Sequence, residues 1–81
     1  MTTLDARGLS CPEPVIMIKN AVDAGNGEIS EKNGKKTISY EIMVDNRTSV
    51  ENITRFGEHA GFTVTAGETG EDYTVTLSKT L

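Results

Sequence analysis

The chain has 81 residues, 36% hydrophobic and 25% charged, a composition that suits one small globular domain, residues 1–81, and not a disordered tail. Twelve acidic side chains against 8 basic ones leave a net charge of −4, so the cationic surface that binds phosphate backbones is missing and nucleic acid is not an expected direct ligand. The longest apolar run, Val15-Ile16-Met17-Ile18, is too short for a bilayer, and a single cysteine forms no internal disulfide; no membrane contact and a cytoplasmic location are expected.

In chain order, residues 2–5 fit a short strand that ends before Gly8. Residues 12–24 change to helical spacing, with Val15, Ile18 and Val22 on one stripe, Ala21 beside them and Gly25 as the stop. Residues 25–37 are polar and rich in Gly, Asn and Lys. Asn33-Gly34 is a hairpin dipeptide that allows residues 29–32 to pair with 35–39, but the first arm alternates poorly and a loop is expected.

Ile38, Tyr40, Ile42 and Val44 then alternate with more polar positions, as in a strand with one buried face. Thr48-Ser49-Val50-Glu51 reads as a capping box, a hydroxyl followed three residues later by a carboxylate. It opens a helix with Val50, Ile53, Gly57 and Ala60 on one stripe, Phe56 beside it and Gly61 at the left-handed cap. Phe62, Val64 and Ala66, then Tyr73, Val75 and Leu77, alternate as two strands joined through residues 67–72. The order β-α-β-α-β-β predicts an α/β (α+β) two-layer sandwich, with both helices on one face of a four-stranded sheet.

The residue with chemistry is Cys11, in Ser10-Cys11-Pro12-Glu13-Pro14. With Ser10 as N-cap, Pro14 would fall at the fourth helical position, where a backbone N–H is needed. With Cys11 as N-cap, Pro12 and Pro14 take the first and third positions and remove no required donor. This register places the sulfur at the positive end of a helix, where the thiolate is favoured and a modestly lowered pKa is expected. Arg7 adds positive charge nearby and Glu13 opposes it, while the two prolines stiffen the turn. A cysteine buried simply as a small hydrophobe fits less well between a glycine-containing turn and a polar helix start.

What the thiol can do is bounded by what accompanies it. No second cysteine supports dithiol cycling, and one Cys with one distant His is too few ligands for a metal. No metal and no cofactor are expected. The lone histidine, His59, lies near the end of the second helix, where contact with the terminal carbonyls is expected in preference to a role as base. A lone exposed thiolate suits group transfer: it accepts sulfur as a persulfide and passes it on. The rival is a non-catalytic interaction or regulatory module whose contact face is the helix start and the segment carrying Lys32, Lys35 and Lys36. Tyr40, Phe62 and Tyr73 alternate with outward positions and are assigned to the core, not to a base-stacking platform.

The stretch Leu4-Asp5-Ala6-Arg7-Gly8-Leu9-Ser10-Cys11-Pro12-Glu13-Pro14-Val15-Ile16-Met17 resembles the signature opening of the TusA/SirA-like family, with its Cys-Pro-x-Pro core. Val44-Asp45-Asn46, Glu51-Asn52 and Arg55-Phe56 resemble the YedF branch, and with the element order the likeness covers nearly the whole chain. The resemblance implies a mixed four-stranded sheet and a persulfide on Cys11, with Arg7, Pro12, Glu13 and Pro14 as supporting and partner-docking residues. It also implies a cysteine desulfurase-type donor and a downstream acceptor protein, with the chain itself acting as a monomeric sulfurtransferase component rather than a complete enzyme. TusA-type members relay sulfur toward tRNA thiolation and other sulfur-using pathways. YedF-type members are associated with selenium or sulfur metabolism, so selenium delivery is the alternative cargo. The chain departs from the family in Asp45-Asn46-Arg47, where TusA-like members often carry Asp-Asp-Pro, and in a longer segment over residues 25–37.

Overall fold

A computed structural model describes residues 3–9 and 13–81. The strand position expected for Thr2, and the helix register built on Cys11 and Pro12, lie outside the described residues. Seven elements follow one another: β1 (Thr3–Asp5), α1 (Glu13–Ala24), β2 (Glu28–Lys32), β3 (Lys35–Val44), α2 (Arg47–His59), β4 (Thr63–Thr69) and β5 (Asp72–Thr80).

Strand β3 organises the sheet. Along one edge it pairs antiparallel with β5, from Thr37↔Thr80 to Val44↔Tyr73, and β4 adds antiparallel to β5. Its other edge is shared between two strands. β1 runs parallel to it over Thr3↔Glu41 to Asp5↔Met43, and β2 pairs antiparallel from Glu28↔Ser39 to Lys32↔Lys35. The sheet is therefore mixed, as expected, but has five strands instead of four, in the order β1-β3-β5-β4 with β2 beside β3.

The loop expected over residues 25–37 is overturned by β2 and its hairpin. Asn33 and Gly34 take φ of 55° and 78°, the positive values that a two-residue hairpin turn of the favoured twist requires. Every residue of β2 is exposed, Ile29 at 58% included. With no face buried, nothing imposes a period of two on the first arm, and pairing with the β3 backbone makes it a strand.

The register gathers one face of the sheet into the core. Leu4 pairs with Ile42, Ile42 with Val75, Tyr40 with Leu77, and Leu77 with Val64. Ile42, Val44, Val75 and Leu77 are fully buried there, capped by Ile18 of α1 and Ile53 of α2. Each such side chain contributes about 1.5–3 kcal/mol on leaving water. Phe62 meets Tyr40 edge to face at 5.8 Å, which puts both aromatics in the core as predicted. Alternate positions, among them Thr63, Thr65, Thr74, Thr76 and Ser78, form the polar opposite face. No helix among the described residues is long and apolar enough to cross a membrane.

Helix α2 starts two residues before the residue that follows the predicted cap. Asn46, with extended dihedrals (φ −149°, ψ 153°), is the N-cap, and its side-chain oxygen accepts the Ser49 N–H at 2.8 Å. Thr48 instead lies inside the first turn, so the capping box is not formed at that register. Asn46→Ala is expected to cost about 1 kcal/mol and Thr48→Ala a few tenths. Urea unfolding of the two variants measures this, and equal losses would contradict the assignment.

At its other end α2 closes as expected of Gly61, with Gly61 N–H bonded to the Glu58 carbonyl at 3.1 Å and Phe62 N–H to the Gly57 carbonyl at 2.8 Å. The contact with terminal carbonyls expected of His59 is made by Lys79, whose ammonium lies 3.4 Å from the Ala60 carbonyl oxygen and 5.5 Å from the centre of the Phe62 ring. His59 itself is exposed.

Candidate functional site

Where β1 ends, the chain must turn out of the sheet toward α1, and this turn leads directly to the cysteine. The Leu9 N–H bonds back to the Ala6 carbonyl at 3.3 Å, and Gly8 takes φ +81°, the pattern of a type II turn whose third residue must tolerate positive φ. Four successive backbone N–H groups are bonded. Ala6 donates to the Met43 carbonyl at 2.8 Å, Arg7 to Asp5 Oδ1 at 3.1 Å, Gly8 to Asp45 Oδ2 at 2.7 Å, and Leu9 to Ala6. Two of these acceptors are carboxylates, which form the shorter and stronger class of hydrogen bond.

The Arg7 side chain completes the arrangement. Its Nε and Nη2 donate to the two oxygens of Asp5 at 3.0 and 2.9 Å, and its Nη1 reaches Asp72 Oδ2 at the start of β5 at 3.3 Å. Asp45 is held in turn by Asn46, whose Nδ2 donates to Asp45 Oδ1 at 3.1 Å while its Oδ1 caps α2. The turn is thus tied to β3, β5 and the start of α2. Two carboxylates, Asp5 and Asp72, contact the guanidinium, so the positive charge of Arg7 is already compensated.

These contacts set the ionisation of the acids. Hydrogen bonds from the Arg7 guanidinium and then from its backbone N–H hold Asp5 at about 2, below its ordinary 3.8. The Gly8 N–H, followed by the Asn46 amide, lowers Asp45. Arg7 is pushed up, mainly by Asp5 and then by Asp72. Because the folded value of Asp5 lies below the unfolded one, its bonds stabilise the fold fully above 3.8 and are lost as pH falls through about 2. Thermal unfolding of the wild type is therefore expected to fall more steeply than that of Asp5→Asn between about pH 4 and about pH 2. Parallel curves would contradict the assignment.

Of the residues singled out in the sequence, the structure brings Arg7 together with Asp5 and Asp72. Glu13 is exposed and opens α1, while Pro14 is fully buried beneath it, a packing role beyond stiffening. Cys11 and Pro12 lie outside the described residues. His59 sits at the far end of α2 from Asn46, roughly 20 Å along a helix of this length, and so away from the turn. Among the described residues no three His, Asp or Glu side chains converge as metal ligands do. Sequence reading passed over Asp5 and Asp72 and met Asp45 only as a family position. An Asp two residues before the N–H it accepts is a local turn signal that marks Asp5, but Asp45 and Asp72 come from distant parts of the chain.

A two-layer α/β domain whose first strand hands over to a clamped turn, a lone cysteine and a helix defines the class. Comparison with known proteins specifies it further. The sulfurtransferase TusA family matches residues 2–79, so the chain belongs to the TusA family. It is 35% identical over 80 residues to a candidate sulfur carrier protein of Methanocaldococcus jannaschii, covering 98% of this chain and 95% of that protein. The crystal structure of a SirA-like protein from Desulfitobacterium hafniense superposes with a TM-score of 0.77 at 29% identity, over 96% of each chain.

Proposed function

We propose that the chain is a sulfur carrier that holds sulfur as a persulfide on Cys11 and relays it between proteins. The observation that carries this reading is that the chain's one cysteine lies, in sequence, two residues beyond a turn whose four backbone N–H groups are bonded, within the stretch matched to the TusA family. The thiolate of Cys11 attacks the terminal sulfur of a donor persulfide. A new S–S bond forms at Cys11, the donor's S–S bond breaks, and the donor leaves as its thiolate. One neutral sulfur atom moves, and no external oxidant or reductant is consumed. Attack on the terminal sulfur by an acceptor thiolate reverses the pattern and frees Cys11. A cysteine desulfurase-type enzyme is the fitting donor and a second thiol protein the fitting acceptor. Incubation with a cysteine desulfurase and cysteine is expected to add one sulfur atom to Cys11 by intact mass, removed again by a thiol reductant. A thiol that is readily alkylated yet acquires no sulfur from any desulfurase tried would overturn the proposal.

A further inference from the structure

We propose that the outward face of α2 is a self-association surface, on which a second copy of this chain docks its own α2 antiparallel about a two-fold axis. Arg47, Val50, Glu51, Thr54, Arg55 and Glu58 line one groove of about 410 Å³ along the helix. Their spacing follows the three- and four-residue steps of a single helical face. A separate stripe, Ser49, Ile53 and Gly57, is the buried one. Val50 and Thr54 are half-buried and form the floor of the groove, while the four charged residues are exposed and form its rim. The Thr54 hydroxyl donates to the Val50 carbonyl at 2.7 Å, so its hydrogen is already bonded within the helix.

The order of the charges identifies the occupant. Along the helix they run Arg47, Glu51, Arg55, Glu58, positive and negative in turn. Read backwards with each sign inverted, the order is the same, so the face is complementary to itself. An antiparallel copy with its two-fold axis level with residues 52 and 53 sets Arg47 opposite Glu58 of the second copy. Glu51 then lies within one residue of the level of Arg55 of that copy. Every charge meets its opposite, in the reciprocal pairs that an isologous dimer requires. A parallel copy would set each charge against its like. Arg47–Glu51 and Glu51–Arg55 have the spacing of intrahelical ion pairs. Among the described residues, however, none of the four charges is in an ion pair, so all four are open to a partner. A contact limited to one face of a 13-residue helix, about 20 Å long, falls below the roughly 1,200 Å² of stable complexes. The dimer is therefore weak, with a Kd of about 0.5 mM. This departs from the monomer that the family resemblance implies and is independent of the sulfur chemistry at Cys11.

Sedimentation equilibrium of the full chain from about 0.05 to about 2 mM tests the proposal. A phosphine reductant prevents a Cys11 disulfide, and salt at about 0.1 M screens charges more than about 10 Å apart, so the net −4 of each copy opposes the contact little. Glu51→Arg and Arg55→Glu each turn two attractive contacts into repulsive ones. Each alone is expected to weaken dimerisation about tenfold or more. An equimolar mixture of the two variants restores opposite charges at both contacts and is expected to associate as tightly as the wild type. Recovery on mixing excludes misfolding as the cause of the single-variant losses. A wild type that stays monomeric at about 2 mM overturns the proposal and leaves the face to a different protein. Association retained by both variants puts the contact on another surface, such as the outer edge of β4, and a mixture no tighter than either variant alone denies the pairing of Glu51 with Arg55. Either result overturns the proposal.

Discussion

Cys11→Ser is expected to take up no sulfur at all, while its unfolding free energy in urea stays within about half a kcal/mol of the wild type. The loss is complete because the hydroxyl keeps its proton at neutral pH, whereas a thiol is partly ionised and far more nucleophilic. His59, the imidazole base of the chain, stands at the opposite end of α2 from the turn. Stability is spared because serine differs from cysteine by one side-chain atom and adds no bulk. Intact mass after incubation with a desulfurase, and a parallel unfolding curve, read the two halves of the expectation. Sulfur still acquired by the serine variant would place the carrier atom elsewhere. Full biological activity of a serine variant that takes up no sulfur would favour the interaction-module reading.

Gly57→Val is expected to cost about 3 kcal/mol. The middle of α2 rests directly on the sheet at this residue. A Cβ there would lie 2.5 Å from Val64 Cγ2 and 2.8 Å from Leu77 Cδ2, and Leu77 is fully buried with no room to yield. A domain of this length has a total stability of about 4–12 kcal/mol, so the substitution removes a large fraction of it. Gly57→Ala, with one methyl group, is expected to cost about 1–2 kcal/mol. Urea titration ranks the pair. A valine variant as stable as the wild type would mean that α2 can lift off β4 and β5 without penalty.

These outcomes also show which parts of the molecule the residues announce. The apolar periods of β3, β5, α1 and α2 were legible because each element buries one face only, so burial writes itself into the spacing. Strand β2 was not, because it is exposed throughout and held by its partner's backbone. Its only local mark is the Asn33-Gly34 pair. The start of α2 was displaced because Asn46 and Thr48 are both good capping residues, and the choice depends on where β3 releases the chain. At the site, Cys11 stands out by its prolines and Arg7 by its nearness. The carboxylates that fasten the turn are silent in the sequence, since Asp45 lies 37 residues from the N–H that it receives and Asp72 lies 65 from Arg7.

The shared edge of β3 has an evolutionary corollary. β5 pairs with this strand from Thr37 to Val44 on its own side, while β2 covers only its first half and buries none of its own side chains. The β2–β3 hairpin is therefore a place where residues can be gained or lost without disturbing either the core or the turn at the opposite end of β3. Relatives are free to differ in length there, and alignment gaps should gather between α1 and the core half of β3 while the stretch around the cysteine keeps its spacing.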